Sequence, residues 1–228
     1  MPLIDQIRAQ LGRRDKRLDI NDASIREALI PFLLSPVPKP WDLFDTLCLL
    51  VEEFGIATGK CRADISVFAT GSGGPTITGM EIKSNQDSLS RLASQSAAYS
   101  EYFTHCWIVV GDKLIRPAVS ALPRNWGILS VKRRMSGSLF FTTIRPAHSG
   151  EVDFYKWLDL LFREEVLDIF RSYSVQSNIT RRPKDYLVQF WRELFSPEQT
   201  RKLVWDTLVN RSDWRRRELA TLHRPSRS

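Results

Sequence analysis

The sequence has little that would mark an exported or membrane-bound protein. No apolar run approaches the ~20 residues that a helix needs to span a bilayer, and no N-terminal segment resembles a signal peptide. The three cysteines, Cys48, Cys61 and Cys106, are odd in number and lack Cys-x-x-Cys spacing, which indicates neither a disulfide framework nor a zinc site. We therefore expect a cytoplasmic protein whose cysteines are reduced thiols.

The composition indicates a folded, basic protein. Hydrophobic residues make up 43% of the 228 residues, which is enough to bury a sizeable core. Lysine and arginine number 33 against 26 acidic residues, which leaves a net charge of +7. This charge suits a polyanionic partner such as DNA, with RNA as an open alternative, although basic proteins of other kinds have a similar charge.

The stretch Arg62–Lys83 carries the most informative pattern. It reads as two strands joined by a glycine-rich turn at Gly71–Pro75, and because this turn leads into a strand, it does not form a phosphate-binding loop. Side chains alternate along a strand, so Asp64 of the first strand comes close to Glu81 and Lys83 of the second. Two carboxylates suit Mg²⁺, and an adjacent ammonium can stabilise negative charge on a reacting phosphate. The alternative is an exposed edge strand with solvated charges.

The first predicted helix follows a basic segment at residues 1–20. Three residues are candidate N-caps for it: Asn21, Asp22 and Ser24. Pro31 is expected to end or kink this helix. The proline-rich stretch Ser35–Pro40 then reads as a stiff surface linker.

A second helix is predicted from Asp42 to Phe54, with apolar residues at helical spacing and Gly55 as its C-terminal cap. Glu52 and Glu53 near its end are candidates for a further acidic site residue. At ~100° per residue, Glu53 lies nearer the apolar stripe than Glu52 does. In the simpler interpretation, both are ordinary surface charges.

After the hairpin, a short loop leads to a helix that Asp87 or Ser88 can cap. Its buried stripe contains Leu89, Leu92, Ser96, Tyr99 and Phe103. Arg91 and Gln95, one turn apart, share an adjacent face. A salt bridge and a surface hydrogen bond are the alternatives to a role for these two residues at the site.

Three more strands are predicted next. Cys106–Val110 is a continuous apolar run, typical of a central strand that is buried on both faces. Two strands follow around the turn Met135–Ser138. Lys132, Arg133 and Arg134 beside this turn line a DNA groove in one interpretation and form a solvated hairpin end in the other.

From Glu151 the pattern is helical. One helix is predicted within Trp157–Phe170, a second follows a basic turn, and a third begins with Ser196 as its N-cap. The basic residues of this region that would contact DNA are Arg181, Arg182, Lys184, Arg215 and Arg216. The region either holds DNA through its backbone or covers the sheet as a structural cap.

The hairpin and its surroundings resemble the PD-(D/E)XK nuclease superfamily. The matching pieces are VEEFG, RADISV, GMEIKS and DSLSRLASQSAAYSEYF, within about residues 21–135. Ala63 stands where the name of the superfamily expects proline. The resemblance implies an α/β fold with a restriction-endonuclease-like central mixed sheet flanked by helices, here with a C-terminal α-helical appendage. In spacing, that appendage resembles a SAP-like helix-turn-helix.

The resemblance also implies a Mg²⁺-dependent nuclease, with Mn²⁺ as a substitute, that hydrolyses phosphodiester bonds in DNA. The implied metal ligands are Asp64, Glu81, Glu53 (directly or through water) and the carbonyl oxygen of Ile82. Lys83 would position the attacking water or stabilise the transition state. Gln95 would support the site, and Arg91 would contact phosphate.

Three segments are therefore expected: a basic tail at residues 1–20, a nuclease-like core at 21–150, and a helical DNA-binding or capping region at 151–228. The alternatives are a catalytically silent nucleic-acid-binding protein and a subunit of a mobile-element or phage-defence assembly. A homodimer or a complex with a partner protein stays open.

Overall fold

The computed structural model describes residues 20–35, 46–175, 177–212 and 214. The elements in chain order are α1 (Asp22–Leu34), β1 (Thr46–Ile56), β2 (Cys61–Gly71), β3 (Gly74–Lys83), α2 (Leu92–Tyr102), β4 (His105–Gly111), α3 (Ile115–Ala121), β5 (Gly127–Arg133), β6 (Leu139–Arg145), α4 (Arg163–Ser172), α5 (Lys184–Leu194) and α6 (Pro197–Asn210). Short 3₁₀ segments lie at Ala57–Gly59, Asp112–Leu114, Phe154–Leu160 and Ser177–Arg181. None of the described helices is long and apolar enough to cross a bilayer.

The six strands form one mixed sheet in sequence order, which confirms the predicted α/β class. The pairs β1–β2, β2–β3 and β5–β6 are antiparallel, whereas β3–β4 and β4–β5 are parallel. A parallel pair needs a crossover connection, and α2 and α3 provide the two crossovers. The C-terminal ends of β3, β4 and β5 therefore lie along one edge of the sheet.

Both faces of the sheet are covered by helices. On one face, α1 packs Ile25 and Leu29 into a cluster with strand residues such as Val67 and Val109. The opposite face carries a larger cluster that contains α2, the strands and the C-terminal helices. Its buried residues from the C-terminal region include Trp157, Leu167, Phe170, Leu187, Trp191, Val204 and Leu208. The region after residue 150 thus shares its hydrophobic core with the sheet.

Helix α6 is tied directly to β3. The N-cap predicted at Ser196 is confirmed as part of a capping box, since the Ser196 hydroxyl accepts from the Gln199 amide and the Gln199 side chain accepts from the Ser196 amide. Arg201 donates its Nε–H to the carbonyl of Pro75 at 2.7 Å, and Trp205 donates its indole N–H to the carbonyl of Thr76 at 3.1 Å. Both contacts lie at the start of β3, the end that is remote from Lys83.

The helix predicted at Asp42–Phe54 is wrong, because the described part of this segment is strand β1. Leu49 and Val51 face one core cluster and Leu50 faces the other. A strand that is covered on both faces is apolar at nearly every position, so its pattern also satisfies helical spacing. Gly55 therefore caps no helix and pairs with Arg62 in the sheet.

Other predicted boundaries also need correction. The cap at Asn21 is confirmed, but α1 continues through the exposed Pro31 to Leu34. Neither Asp87 nor Ser88 caps α2, which begins at Leu92; the Asp87 carboxylate instead accepts from the amide and hydroxyl of Ser84 at 2.6 Å each. The single helix expected within Trp157–Phe170 is a 3₁₀ segment followed by α4, and α3 was not predicted.

Several predictions fall on residues that the structure does not describe. The basic segment at 1–20 is described only at its last residue, and the proline-rich linker only at Ser35. Arg215 and Arg216 also lie outside the described residues.

Candidate active site

The hairpin β2–β3 brings the predicted charged residues to one end of the sheet. Ile65 pairs with Met80, so Asp64 and Glu81 occupy the next positions toward that end. The Asp64 carboxylate also accepts a hydrogen bond from the Ile82 amide at 2.7 Å. The juxtaposition of Asp64 with Glu81 and Lys83 follows from strand alternation, as the sequence predicts.

Glu81 is a buried carboxylate, with 3% of its surface exposed, and it has three side-chain donors. The Lys83 ammonium lies 2.6 Å from Oε1, and Gln95 donates to the same oxygen at 2.7 Å. Tyr99 donates its hydroxyl to Oε2 at 2.6 Å. Because Lys83 is also buried, these bonds fix the position of Glu81 and compensate the cost of removing two charges from water.

Asp64 is held by a cation from α1, which covers the face of the sheet opposite to α2. Arg26 of α1 lies with Nη2 2.8 Å from Oδ1 of Asp64, and its Nη1 donates to the Asp64 carbonyl at 2.9 Å. Burial, followed by the charge of Glu81, raises the pKa of Asp64 to about 7, although the Ile82 amide and Arg26 act in the opposite direction. Negative charge at this end of the sheet is therefore costly, as it is in a site built for a cation.

In the described part of the chain, Glu53 joins this cluster through Arg26. It lies in β1 with a positive φ of 55°, and its Oε1 is 2.8 Å from Nη1 of Arg26. Glu52 is farther away, with an oxygen 3.9 Å from the same nitrogen. Neither glutamate lies on a helix, because the predicted helix at Asp42–Phe54 is replaced by strand β1 in the described residues.

The residues present fit Mg²⁺ through two carboxylates. Hard oxygen ligands suit this ion, which needs only one or two carboxylates when water and substrate phosphate complete its shell. Asp64 and Glu81 meet that need, and the Ile82 carbonyl lies between Glu81 and Lys83 in the chain. Within the described residues, no group of three or more His, Cys, Asp or Glu side chains is arranged to hold a metal.

The other predicted site residues are more scattered. Gln95 contacts Glu81 as expected, whereas Arg91 is exposed at the start of α2. Arg181 and Arg182 are exposed, and the guanidinium of Arg182 lies 5.0 Å from the ring centre of Tyr186. The Lys184 ammonium donates to the carbonyl of Leu161 at 2.6 Å, and burial lowers its pKa. Lys184 therefore joins two segments of the C-terminal region.

Two residues of the site were not predicted. Tyr99 follows Gln95 by one helical turn, so the same face of α2 that carries Gln95 also delivers its hydroxyl to Glu81. That spacing was an available signal. Arg26 has no such signal, because its contact with Asp64 joins residues 38 positions apart on different elements.

Comparison with known protein families gives a match. A family model described as "Bacteriophage P4 protein cII" matches residues 16–225. No curated protein sequence matches the chain. The matched range contains the sheet, the hairpin with Asp64 and Glu81, and the C-terminal helices.

Proposed function

The chain belongs to the bacteriophage P4 protein cII family, and from the geometry of its candidate site we propose that it is a divalent-metal-dependent nuclease that hydrolyses phosphodiester bonds in DNA. The observation that carries this proposal is the buried Glu81–Lys83 pair beside Asp64 at the end of the hairpin. A buried ion pair is weak support for stability, because desolvation cancels much of the attraction. Clustered charges with a perturbed pKa are more typical of a functional site.

The proposed roles follow from the contacts. Asp64 and Glu81 would hold Mg²⁺ with the Ile82 carbonyl, and the bound ion would supply charge neutralisation at the phosphate and a more acidic water. Lys83 would stabilise negative charge that develops on the phosphate. Gln95 and Tyr99 would keep the Glu81 carboxylate in place, as partners of a metal ligand commonly do.

The order of elements supports the nuclease interpretation. A hairpin that carries Asp64 and the Glu81-x-Lys83 motif is followed by a helix whose Gln95 faces the site. The acidic position expected on a helix is missing, since Glu53 lies on a strand. The proposal therefore depends on Asp64, Glu81 and Lys83 and needs no third carboxylate.

A second candidate is a catalytically silent DNA-binding protein, alone or as a subunit of a mobile-element assembly. Arg26 and Lys83 favour it, because these cations already compensate Asp64 and Glu81 without a metal. The two candidates differ in whether DNA is cut or only bound.

Cleavage of supercoiled plasmid with Mg²⁺ or Mn²⁺ tests the proposal. Wild type should nick or linearise the plasmid, and Asp64→Asn should not, while Glu193→Gln, which removes an exposed carboxylate on α5, should cut like wild type. Asp64→Asn is preferred to Glu81→Gln for this test because Arg26 keeps Asp22 and Glu53 as partners in Asp64→Asn. Binding without cleavage by wild type would favour the silent DNA-binding protein.

A further inference from the structure

The edge of the sheet that carries Lys83 also carries a projecting hairpin. Lys83 pairs with Val110 of β4, and Gly111 at the end of β4 pairs with Val131 of β5. From Val131, β5 continues to Arg133 before the chain turns back into β6. At ~3.3 Å per residue, the tip extends roughly 10 Å past the end of β4, and two strand spacings place it about 10 Å to the side of β3.

The hairpin tip, defined here as residues 132–138, is internally braced. Arg133 donates to the carbonyl of Gly137 at 2.7 Å, and the Arg134 amide donates to the carbonyl of Ser138 at 2.8 Å. The Arg134 guanidinium lies 5.2 Å from the ring centre of Phe140. Met135 at the apex is fully exposed. A lone exposed methionine is ordinary, but this one directly follows three consecutive cations in the chain, near the candidate active site.

Cations dominate the C-terminal end of β5 and the segments that follow β3, β4 and β5 along this edge. They are Arg91, Lys113, Arg116, Lys132, Arg133 and Arg134, whereas the acidic residues in these segments are Asp87 and Asp112. Asp87 is engaged by Ser84, and Asp112 lies 3.7 Å from the Lys132 ammonium. The edge thus offers net positive charge across three strands, a pattern suited to phosphates.

We propose that the hairpin tip enters a groove of duplex DNA beside the candidate active site, with Lys132 and Arg134 contacting phosphates and Met135 contacting the bases. The major groove is about 12 Å wide and 8.5 Å deep and admits a two-stranded β-ribbon. The reach of the tip matches that depth. Its sequence, KRRMSGS, has no aromatic residue for stacking on single-stranded bases, which favours duplex as the partner.

The proposed position of the hairpin tip on DNA rests on the proposed function, because the tip lies beside the candidate active site. Duplex binding can nevertheless be measured without cleavage. The full-length protein is titrated into a labelled 30-bp duplex in Ca²⁺ over a range of salt. Lys132→Ala with Arg134→Ala should weaken binding and lower the slope of log affinity against log salt by about 1.8, from about 0.9 per phosphate contact. Met135→Ala should weaken binding several-fold with the slope unchanged, since an apolar contact releases no counterions.

A matched control removes two exposed cations elsewhere. Arg124 precedes β5 at the opposite edge of the sheet and Lys202 lies on α6, so Arg124→Ala with Lys202→Ala should leave affinity and slope near those of wild type. Equal losses in this control and in the hairpin variant would overturn the proposal. Absence of duplex binding by wild type would also overturn it, and Met135-dependent binding to anionic vesicles in that case would identify a lipid surface instead.

Cleavage measured on the same proteins separates the two proposals. If wild type binds duplex through the hairpin and cuts nothing, the nuclease proposal fails and the hairpin proposal stands. If the hairpin variant binds and cuts like wild type, the hairpin proposal fails and the nuclease proposal stands.

Discussion

Tyr99→Phe removes one hydroxyl from the candidate site and keeps the ring. The Tyr99 ring is fully buried, with ring centres 5.0 Å from Phe103 and 5.3 Å from Trp126, and these packing contacts remain in the variant. The hydroxyl is the side-chain donor at Oε2 of Glu81, so its loss leaves a buried carboxylate oxygen without that bond. Hydrogen bonds to charged groups contribute about 1.5–3 kcal/mol to stability. We expect a loss near 2 kcal/mol, or about 4–8 °C in Tm for a chain of this size.

Urea and thermal unfolding at pH 7 measure the stability change, and calorimetric titration with Mn²⁺ measures the effect on the site. Tyr99→Phe should lose stability and bind Mn²⁺ more weakly, because Glu81 is less firmly placed. Tyr102→Phe is the matched control: it makes the same chemical change on α2, but its lost bond, 2.9 Å to Asp159, lies outside the site. Its Mn²⁺ affinity should stay at the wild-type value. Wild-type stability and Mn²⁺ affinity in Tyr99→Phe would refute the role given to this hydroxyl.

Three further predictions concern packing, catalysis and the C-terminal region. Gly79→Ala should lower stability by about 1–3 kcal/mol in urea unfolding, because its new methyl group would clash with the buried Phe103 ring; an unchanged midpoint would contradict the packing described. Lys83→Ala should lower the cleavage rate by ~10²-fold or more with a smaller change in DNA affinity, and Lys83→Arg should rescue little. Lys184→Ala should destabilise the protein in the same assay and leave the salt slope of DNA binding unchanged, since its ammonium already donates to Leu161; a reduced slope would instead make Lys184 a phosphate contact.

The sequence was sufficient to predict the hairpin β2–β3 but not strand β1. Asp64, Glu81 and Lys83 lie on a local two-strand unit joined by a glycine turn, and side-chain alternation alone brings them together. Leu49, Leu50 and Val51, by contrast, are buried on opposite faces of the sheet. Whether such an apolar run forms a strand or a helix depends on the elements, from elsewhere in the chain, that cover it.

Some contacts of the candidate site could likewise be predicted from the sequence, and others could not. Gln95 and Tyr99 are one turn apart on α2, and their shared approach to Glu81 follows from helix geometry. Arg26 approaches Asp64 from α1, and this contact depends on how the helix crosses the sheet. The sequence pattern does not predict how α1 crosses the sheet.

The C-terminal helices show how a basic composition can have a structural use. The sequence allowed them to bind DNA or to cap the sheet, and their buried residues join the core of the sheet. Lys184 donates to the carbonyl of Leu161, and Arg211 forms an ion pair with Glu165 at 2.5 Å. The exposed Arg181 and Arg182 keep the DNA-binding prediction open to test.

Direct binding of Mn²⁺, followed by calorimetry at neutral pH, tests whether Asp64 and Glu81 form one cation site. Wild type should bind the ion, and both Asp64→Asn and Glu81→Gln should abolish the binding heat, with Glu193→Gln unchanged. Thermal unfolding must accompany the titration, because Glu81→Gln leaves the buried Lys83 ammonium without its anion. Folded Asp64→Asn and Glu81→Gln proteins that bind Mn²⁺ as wild type does would contradict the metal-dependent site.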